Sequence, residues 1–506
     1  MLLFLLFVFV LSIPRVQTRL GNYATNSINE AYGTAIKIEK VGLQFNGDVE
    51  LKNILIKDHY DETLISVAEL NTSILSFVKL AENKLTFGDI DLYDLFIHIK
   101  KYQGEGETNL DVFVDKFDEK NPTLNSNKFL LSSSEIRIHN SKFLLTDENL
   151  NTPKVLDFHN LNLSAFDFLI LGTDVKTAIK NLSFNDTRGA QIQDLQTVFS
   201  YSLTQMMFEE LEIKSEHSTL FGQVQFDYDR KDFKDFLEKV NISGFFKNST
   251  IDLEELNVFY NEFGTNQKAD LNTVFSGTPN DLLLENIDII TTDNTSLVGK
   301  IQFKNLFKTT SDNFKMDAYF QQVASTYTDL KALLPRVLGN TLPSDLGSLG
   351  RFDMRGTAKV SNAAIITVMD IETDIGTLFV DLNLDQMKAI DNTSYVGQVQ
   401  FTDFDLGHLM GEQKIGLVSS SLNVEGRGFN KETINSNIKG TFDSFTFQEY
   451  IYTNIEVSGV VKNKIFNGQL DIDDPNMKFN FEGLVDFSKQ ENIYDFSAAI
   501  EYANLN

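Results

Sequence analysis

The sequence predicts an all-β fold: an elongated antiparallel β-sheet folded into an open groove with one hydrophobic face. Three observations predict it. From Thr34 to Asn506 apolar and polar residues alternate with a period of two, the pattern of strands with one greasy and one wet face. Gly, Asn or Asp cuts the alternation at short intervals, and these residues tolerate the positive φ that tight turns need. One phrase also recurs: Gly222-Gln223-Val224-Gln225-Phe226, Gly299-Lys300-Ile301-Gln302-Phe303, Gly397-Gln398-Val399-Gln400-Phe401 and Gly483-Leu484-Val485-Asp486-Phe487. Its copies are unequally spaced, so the repetition is degenerate rather than a strict solenoid period.

The elements follow in order. Met1 to Ile13 reads MLLFLLFVFVLSI, which is short of the roughly 17–25 residues of a full membrane span. No basic region precedes it and no small-x-small cleavage site follows, so we expect an uncleaved signal-anchor whose first residues are missing, with a cleaved signal peptide as the alternative. Residues 14–33 read as an amphipathic helix, with Pro14 at its start and Gly33 at its stop. Val16, Leu20, Tyr23, Ser27/Ile28 and Ala31 make its apolar stripe, which should plug the first strands.

Residues 34–506 form the strand field, expected as one continuous groove without domain linkers. Ile36/Ile38, Leu85/Phe87, Ile90/Leu92, Ile136/Ile138, Leu211/Ile213, Ile287/Ile289 and Phe479/Phe481 are representative strand pairs. Asn46-Gly47-Asp48 is a strong hairpin signal. Lys231 to Val240 and Tyr327 to Leu338 interrupt the field with helical spacing. The pattern stops at Asn506 without a cap, so the chain is expected to be the N-terminal part of a longer protein.

Composition removes several function classes. The net charge of −27 repels phosphate backbones and argues against nucleic acid. The absence of Cys excludes disulfides, thiolate chemistry and Cys-based zinc sites. The six His never fall three to five apart, which leaves a His-based metal site without local support. Ser76-Phe77-Val78-Lys79 and Ser311-Asp312-Asn313 match two motifs of penicillin-binding serine enzymes, but Lys-Thr-Gly is absent. Asp471 to Glu482 faintly resembles a calcium loop, yet Pro475 and Asn476 stand where a ligand and the turn glycine belong, and a β-turn fits better. No catalytic, cofactor-binding or metal-binding residue is assigned, and the reading is non-enzymatic.

An apolar strand face must be covered by a second sheet, by barrel closure or by a ligand. The bursts are short for a membrane barrel and no Trp is present to form girdles. A sandwich array is possible, but sandwich domains should show boundaries, and the sequence offers none; a greasy face that holds acyl chains remains. Its candidates are Val224, Phe226, Ile301, Phe303, Val399, Phe401, Leu470, Ile472, Phe479 and Phe481, with Gln225, Gln302, Gln400 and Asp471 pointing the other way.

Pro14 to Leu20, Ile28-Asn29-Glu30, Ile36 to Val41, Gly47 to Ile54 and Leu85 to Ile90 together resemble the start of AsmA-like proteins. Thr108 to Val114 and Asp474 to Gly483 look most like TamB-type translocation and assembly module proteins of Bacteroidota. The resemblance covers essentially the whole chain, through strand-and-turn phrases without catalytic residues. It implies an inner-membrane anchor with the bulk of the chain in the periplasm, and a hydrophobic β-groove carrying phospholipid acyl chains towards the outer membrane. It also implies an Omp85-type barrel partner, reached through a C-terminal region absent here. Two alternatives stand beside the lipid bridge: a scaffold for outer-membrane protein assembly, and a surface adhesin or structural β-array.

Overall fold

The computed structural model describes residues 13–44, 46–76, 84–116, 130–150, 154–258, 261–307, 314–336, 338, 344–385, 393–429, 433–488 and 491–504. The chain is mostly strand, and it divides into two compact units, Met1–Ser249 and Thr250–Asn506.

The first unit begins with the helix Pro14–Tyr32, which starts on proline and stops at Gly33 in the left-handed conformation. The strands Ala35–Leu43, Asp48–Lys57 and Thr63–Ile74 then form an antiparallel meander. The expectation of a purely antiparallel sheet fails next. Lys84–Tyr93 and Phe96–Lys101, separated by a left-handed Asp94, both pair in parallel with the long strand Leu130–Asp147. Parallel neighbours need a crossover instead of a hairpin. The crossover contains the helix Asn109–Asp115, which the alternation had not revealed. Thr108 and Asp111 close its N-terminus as a capping box. Asn109, 1 % exposed, ties the crossover down: it donates to Asp58 and to the His98 carbonyl, and accepts from the Lys100 N–H. Antiparallel pairing resumes through Lys154–Leu171, Asp174–Asp186, Asp194–Tyr201, Gln205–Lys214 and Thr219–Asp227.

The N-terminal helix docks on a different face from the one its apolar residues suggest. Tyr23 is 76 % exposed, and Ile28 and Tyr32 also lie in solvent. Gln17 and Thr25 are buried instead. Gln17 donates to the carbonyl of Leu43 and accepts from its N–H; Thr18 accepts from the Val41 N–H; Asn29 donates to the carbonyl of Ile36 and accepts from its N–H. These side chains imitate a neighbouring strand along Ala35–Leu43. An open edge is a row of unmet donors and acceptors, so meeting it with amides outweighs burying Tyr23.

In the second unit, fourteen strands from Lys268–Thr278 to Ile493–Ala503 pair each with the next, all antiparallel. The structure gives the recurring glycine phrase a cause. Gly397 and Gly483 sit at φ 152 and 148, where side chains rarely go. A Cβ on Gly397 would lie 1.9 Å from the carbonyl oxygen of Asp381, and one on Gly483 2.3 Å from the Phe496 Cα. The same crowding recurs at Gly222 and Gly299, so each phrase opens on a glycine where the neighbouring strand leaves no room for a Cβ.

Buried aspartates close several strand ends. Asp58, Asp186, Asp252, Asp474 and Asp486 each accept the N–H two residues further on. The two expected helical interruptions are short: a 3₁₀ turn Arg230–Asp235 running into Phe236–Lys239, and Tyr327–Leu333. Leu406–Met410 adds another, started by the Asp405 side chain and ended by a left-handed Gly411.

Candidate functional site: an apolar sheet face

Directly paired residues of an antiparallel sheet share a face, so the registers trace the surface across the second unit. One row runs Phe320, Gly356, Met369, Val380, Val399, Leu422, Gly440, Val457, Leu470, Phe481, Ala498. Beside it runs Leu271, Ile289, Leu297, Val323, Met354, Ile371, Leu378, Phe401, Ser420, Phe442, Ile455, Ile472, Phe479, Ile500. A third row carries Phe275, Leu284, Ile301, Ala318 and Ala358, passes the polar Thr367, and continues through Leu382, Gly397, Val424, Ile438 and Gly459. A fourth carries Leu282, Phe303, Met316, Val360, Ile365, Leu384 and Tyr395.

Eight of the ten candidate groove residues therefore lie on one face: Ile301, Phe303, Val399, Phe401, Leu470, Ile472, Phe479 and Phe481. Ile301, Ile472 and Phe481 are buried at 7–8 % exposure, and the other five are half-buried. Around Ile287, Ile301 and Ala318 the rows pack against one another, with Leu284, Leu297, Phe303 and Phe320 on the flanks. Gln302, Gln400 and Asp471 fall on the opposite face, where Gln400 pairs with Phe379 and Ser421, and Asp471 with Glu456 and Asn480.

The remaining two candidates belong to the first unit. Val224 pairs with Phe208, and Phe226 with Met206; these continue to Phe199 and Tyr201 on the next strand, while Gln225 alternates with them. The Phe226 ring lies 6.2 Å from Phe208 and 6.3 Å from Phe236, so the short helical segment there lies against these strands of the first unit.

Sequence spacing missed row members that follow a bulge. Asp403 is left-handed (φ 45), the register shifts between Phe401 and Phe404, and these two rings meet at 5.1 Å although they stand three positions apart in sequence. A bulge inserts one residue and breaks strict alternation. The signal was present as an Asp inside a strand, a residue suited to positive φ.

The opposite face carries most of the charged and amide side chains, together with Phe379 and the exposed Ile290, Ile366, Val368 and Val396. A hollow of about 710 Å³ there is lined by Asp443, Glu456, Asp471, Asp473 and Glu501, with Lys478 paired to Glu501 at 2.9 Å. Asp474, 2 % exposed, turns the hairpin beside it. Burial pushes its carboxyl up, but donation from Tyr450 Oη, the Asn476 N–H and Thr453 outweighs this and holds it below the usual carboxylate range. The calcium-like stretch is accordingly a β-hairpin, with strands Ile465–Asp474 and Met477–Asp486.

Among the described residues no group of three His, Asp or Glu is placed to hold a metal ion. His98 meets Thr146 Oγ1 at 3.1 Å, and burial holds its imidazole below the usual value. His139 stacks on Tyr93 and reaches Asp91, whose carboxylate is held low chiefly by Arg137. Residues 77–79 and 311–313 of the serine-enzyme motifs lie outside the described residues, as do residues 1–12 of the expected anchor. Among the described residues no helix is long and apolar enough to cross a membrane. Compared with family models and with curated proteins, the sequence matches none.

Proposed function

We propose that this chain is a lipid bridge: a β-groove whose apolar face takes acyl chains while head groups stay in water. The observation that supports it most is the set of four apolar rows sharing one face of the fourteen-strand meander, with Gln400, Asp471 and Glu456 on the other. Aligned hydrophobic rows extending over so many strands exceed what a scattered surface contributes. An acyl chain of about fifteen methylenes gains on the order of 10 kcal/mol on full burial, at ~0.8 kcal/mol per CH₂. The crowded glycines at 222, 299, 397 and 483 are of the kind that let a sheet bend, as a groove requires. In this reading Met1 to Ile13 anchors the chain in the inner membrane, the rest occupies the periplasm, and lipid moves towards the outer membrane. The resemblance to AsmA-like and TamB-type proteins supports that placement and the Omp85-type partner.

The test is a pair of substitutions. Phe401→Asp puts a carboxylate among the apolar rows, and an acyl chain sliding past must strip its water at a cost of several kcal/mol. Gln400→Asp puts the same charge on the opposite face. Phospholipid co-purifying with the protein, measured by mass spectrometry, should fall several-fold in Phe401→Asp and stay unchanged in Gln400→Asp. Absence of lipid from the unmodified protein, or equal retention in Phe401→Asp, overturns the reading.

A further inference from the structure

Among the described residues, the apolar face contains one buried hydroxyl without a partner. Ser420, 4 % exposed, pairs with Phe401 on one side and Phe442 on the other, in the second of the rows. Its Oγ makes no hydrogen bond. The next rung towards the bulge is Phe404, Val418, Phe445, again in register. The four rings form two contacting pairs, Phe401 with Phe404 at 5.1 Å and Phe442 with Phe445 at 5.8 Å. The hydroxyl therefore sits between two aromatic pairs.

Most buried polar groups have a partner, and one that lacks it calls for an explanation. Space alone does not supply one, since alanine would separate the rings as well and leave no unmet donor. A hydroxyl adds one donor that turns freely to meet an acceptor. Phe401 and Phe442 are only half-buried, so rotation of either ring opens a path to the hydroxyl from the apolar face. A guest that suits this place has an apolar body to lie against the rings and one acceptor oxygen.

We propose that Ser420 is a holding point for the carbonyl oxygen of an acyl chain: its Oγ–H donates to that oxygen and stops the chain at this rung. The inference rests on the lipid-bridge reading and adds to it a fixed station along the face. A free carboxylate and an ester both supply the oxygen.

The test uses the whole chain, loaded separately with palmitate carrying ¹³C at C1 and with phosphatidylethanolamine carrying ¹³C at its ester carbonyls. Infrared spectra of unmodified protein and Ser420→Ala are compared for each guest. Ser421→Ala, on the opposite face, is the control. A labelled carbonyl band lower in wavenumber in the unmodified protein than in Ser420→Ala, with about fivefold tighter binding, supports the proposal. A shift with palmitate alone identifies a fatty acid as the guest, and one with the phospholipid an ester. Identical bands in the two proteins, with guest bound to both, overturn the station and leave the bridge standing. If the unmodified protein holds neither guest, station and bridge both fall. Without guest, Ser420→Ala should melt at or above the unmodified protein; a lower melting temperature would mean the hydroxyl has a partner in the protein, and overturns the proposal.

Discussion

At Gly397 backbone and neighbour forbid the same thing. An alanine methyl would meet the Asp381 carbonyl oxygen, and the φ of 152 lies where side chains are strained. Such strain costs about 1–3 kcal/mol before the clash is added. Gly397→Ala should therefore lower the stability of the second unit by at least ~2 kcal/mol in denaturant unfolding. Gly347→Ala, whose methyl would meet only Tyr327 at 3.6 Å, should stay within about 0.5 kcal/mol. Asp474 offers a second residue-scale outcome. Its folded-state carboxyl lies below its unfolded value, so its contribution is fully present above about pH 4 and fades as pH falls through the folded value. Asp474→Asn keeps the shape but faces an amide donor towards donors, and should cost roughly 1–3 kcal/mol at pH 7. Its deficit against the unmodified protein should narrow below about pH 4, as measured by unfolding at both pH values.

Among the elements, the N-terminal helix is where sequence and structure part most. Its limits were legible from Pro14 and Gly33, but its docking face was not. A hydrophobic stripe says which residues avoid water, whereas the first strand's edge asks for donors and acceptors, and Gln17, Thr18 and Asn29 supply them. Gln17→Ala and Asn29→Ala should speed amide exchange at Leu43 and Ile36, whose N–H groups lose their acceptors, while Ile465–Asp474 in the other unit stays unchanged. The strands of the second unit were legible because Ile301/Phe303 and Phe479/Phe481 keep strict alternation. The parallel pairing of Leu130–Asp147 was not, because alternation marks strands without naming their neighbours. Nor was the full width of the face, because bulges such as the one at Asp403 move Phe404 out of phase.

At the scale of the molecule, the charged residues of the second unit divide by face more than by stretch of sequence, although Ile366, Val368 and Val396 share their face. The charge of −27 is spread along the chain, and in the second unit Glu456, Asp471 and Glu482 project away from the apolar rows. Raising salt screens this charge, with a Debye length near 10 Å at 0.1 M. Lipid held by burial should then be retained between 0.05 and 0.5 M salt, which is about the range over which surface ion pairs fade. Release of the co-purified lipid across that range, read by mass spectrometry, would indicate that charge and not burial holds it.

Because every strand of the second unit after Lys268–Thr278 pairs with the one before it, the length of its sheet is a matter of counting. Each strand adds about 4.8 Å across the hydrogen-bonding direction. Two strands together restore both the chain direction and the end at which the next connection lies. Residues 364–385 hold one such pair, Ala364–Thr373 and Gly376–Asp385. In their absence Ala358 would face Gly397 within the same row, since Thr367 and Leu382 are the two members between them. Evolution can thus lengthen or shorten such a sheet in steps of about 10 Å by duplicating or losing one hairpin, and never disturb which side is greasy.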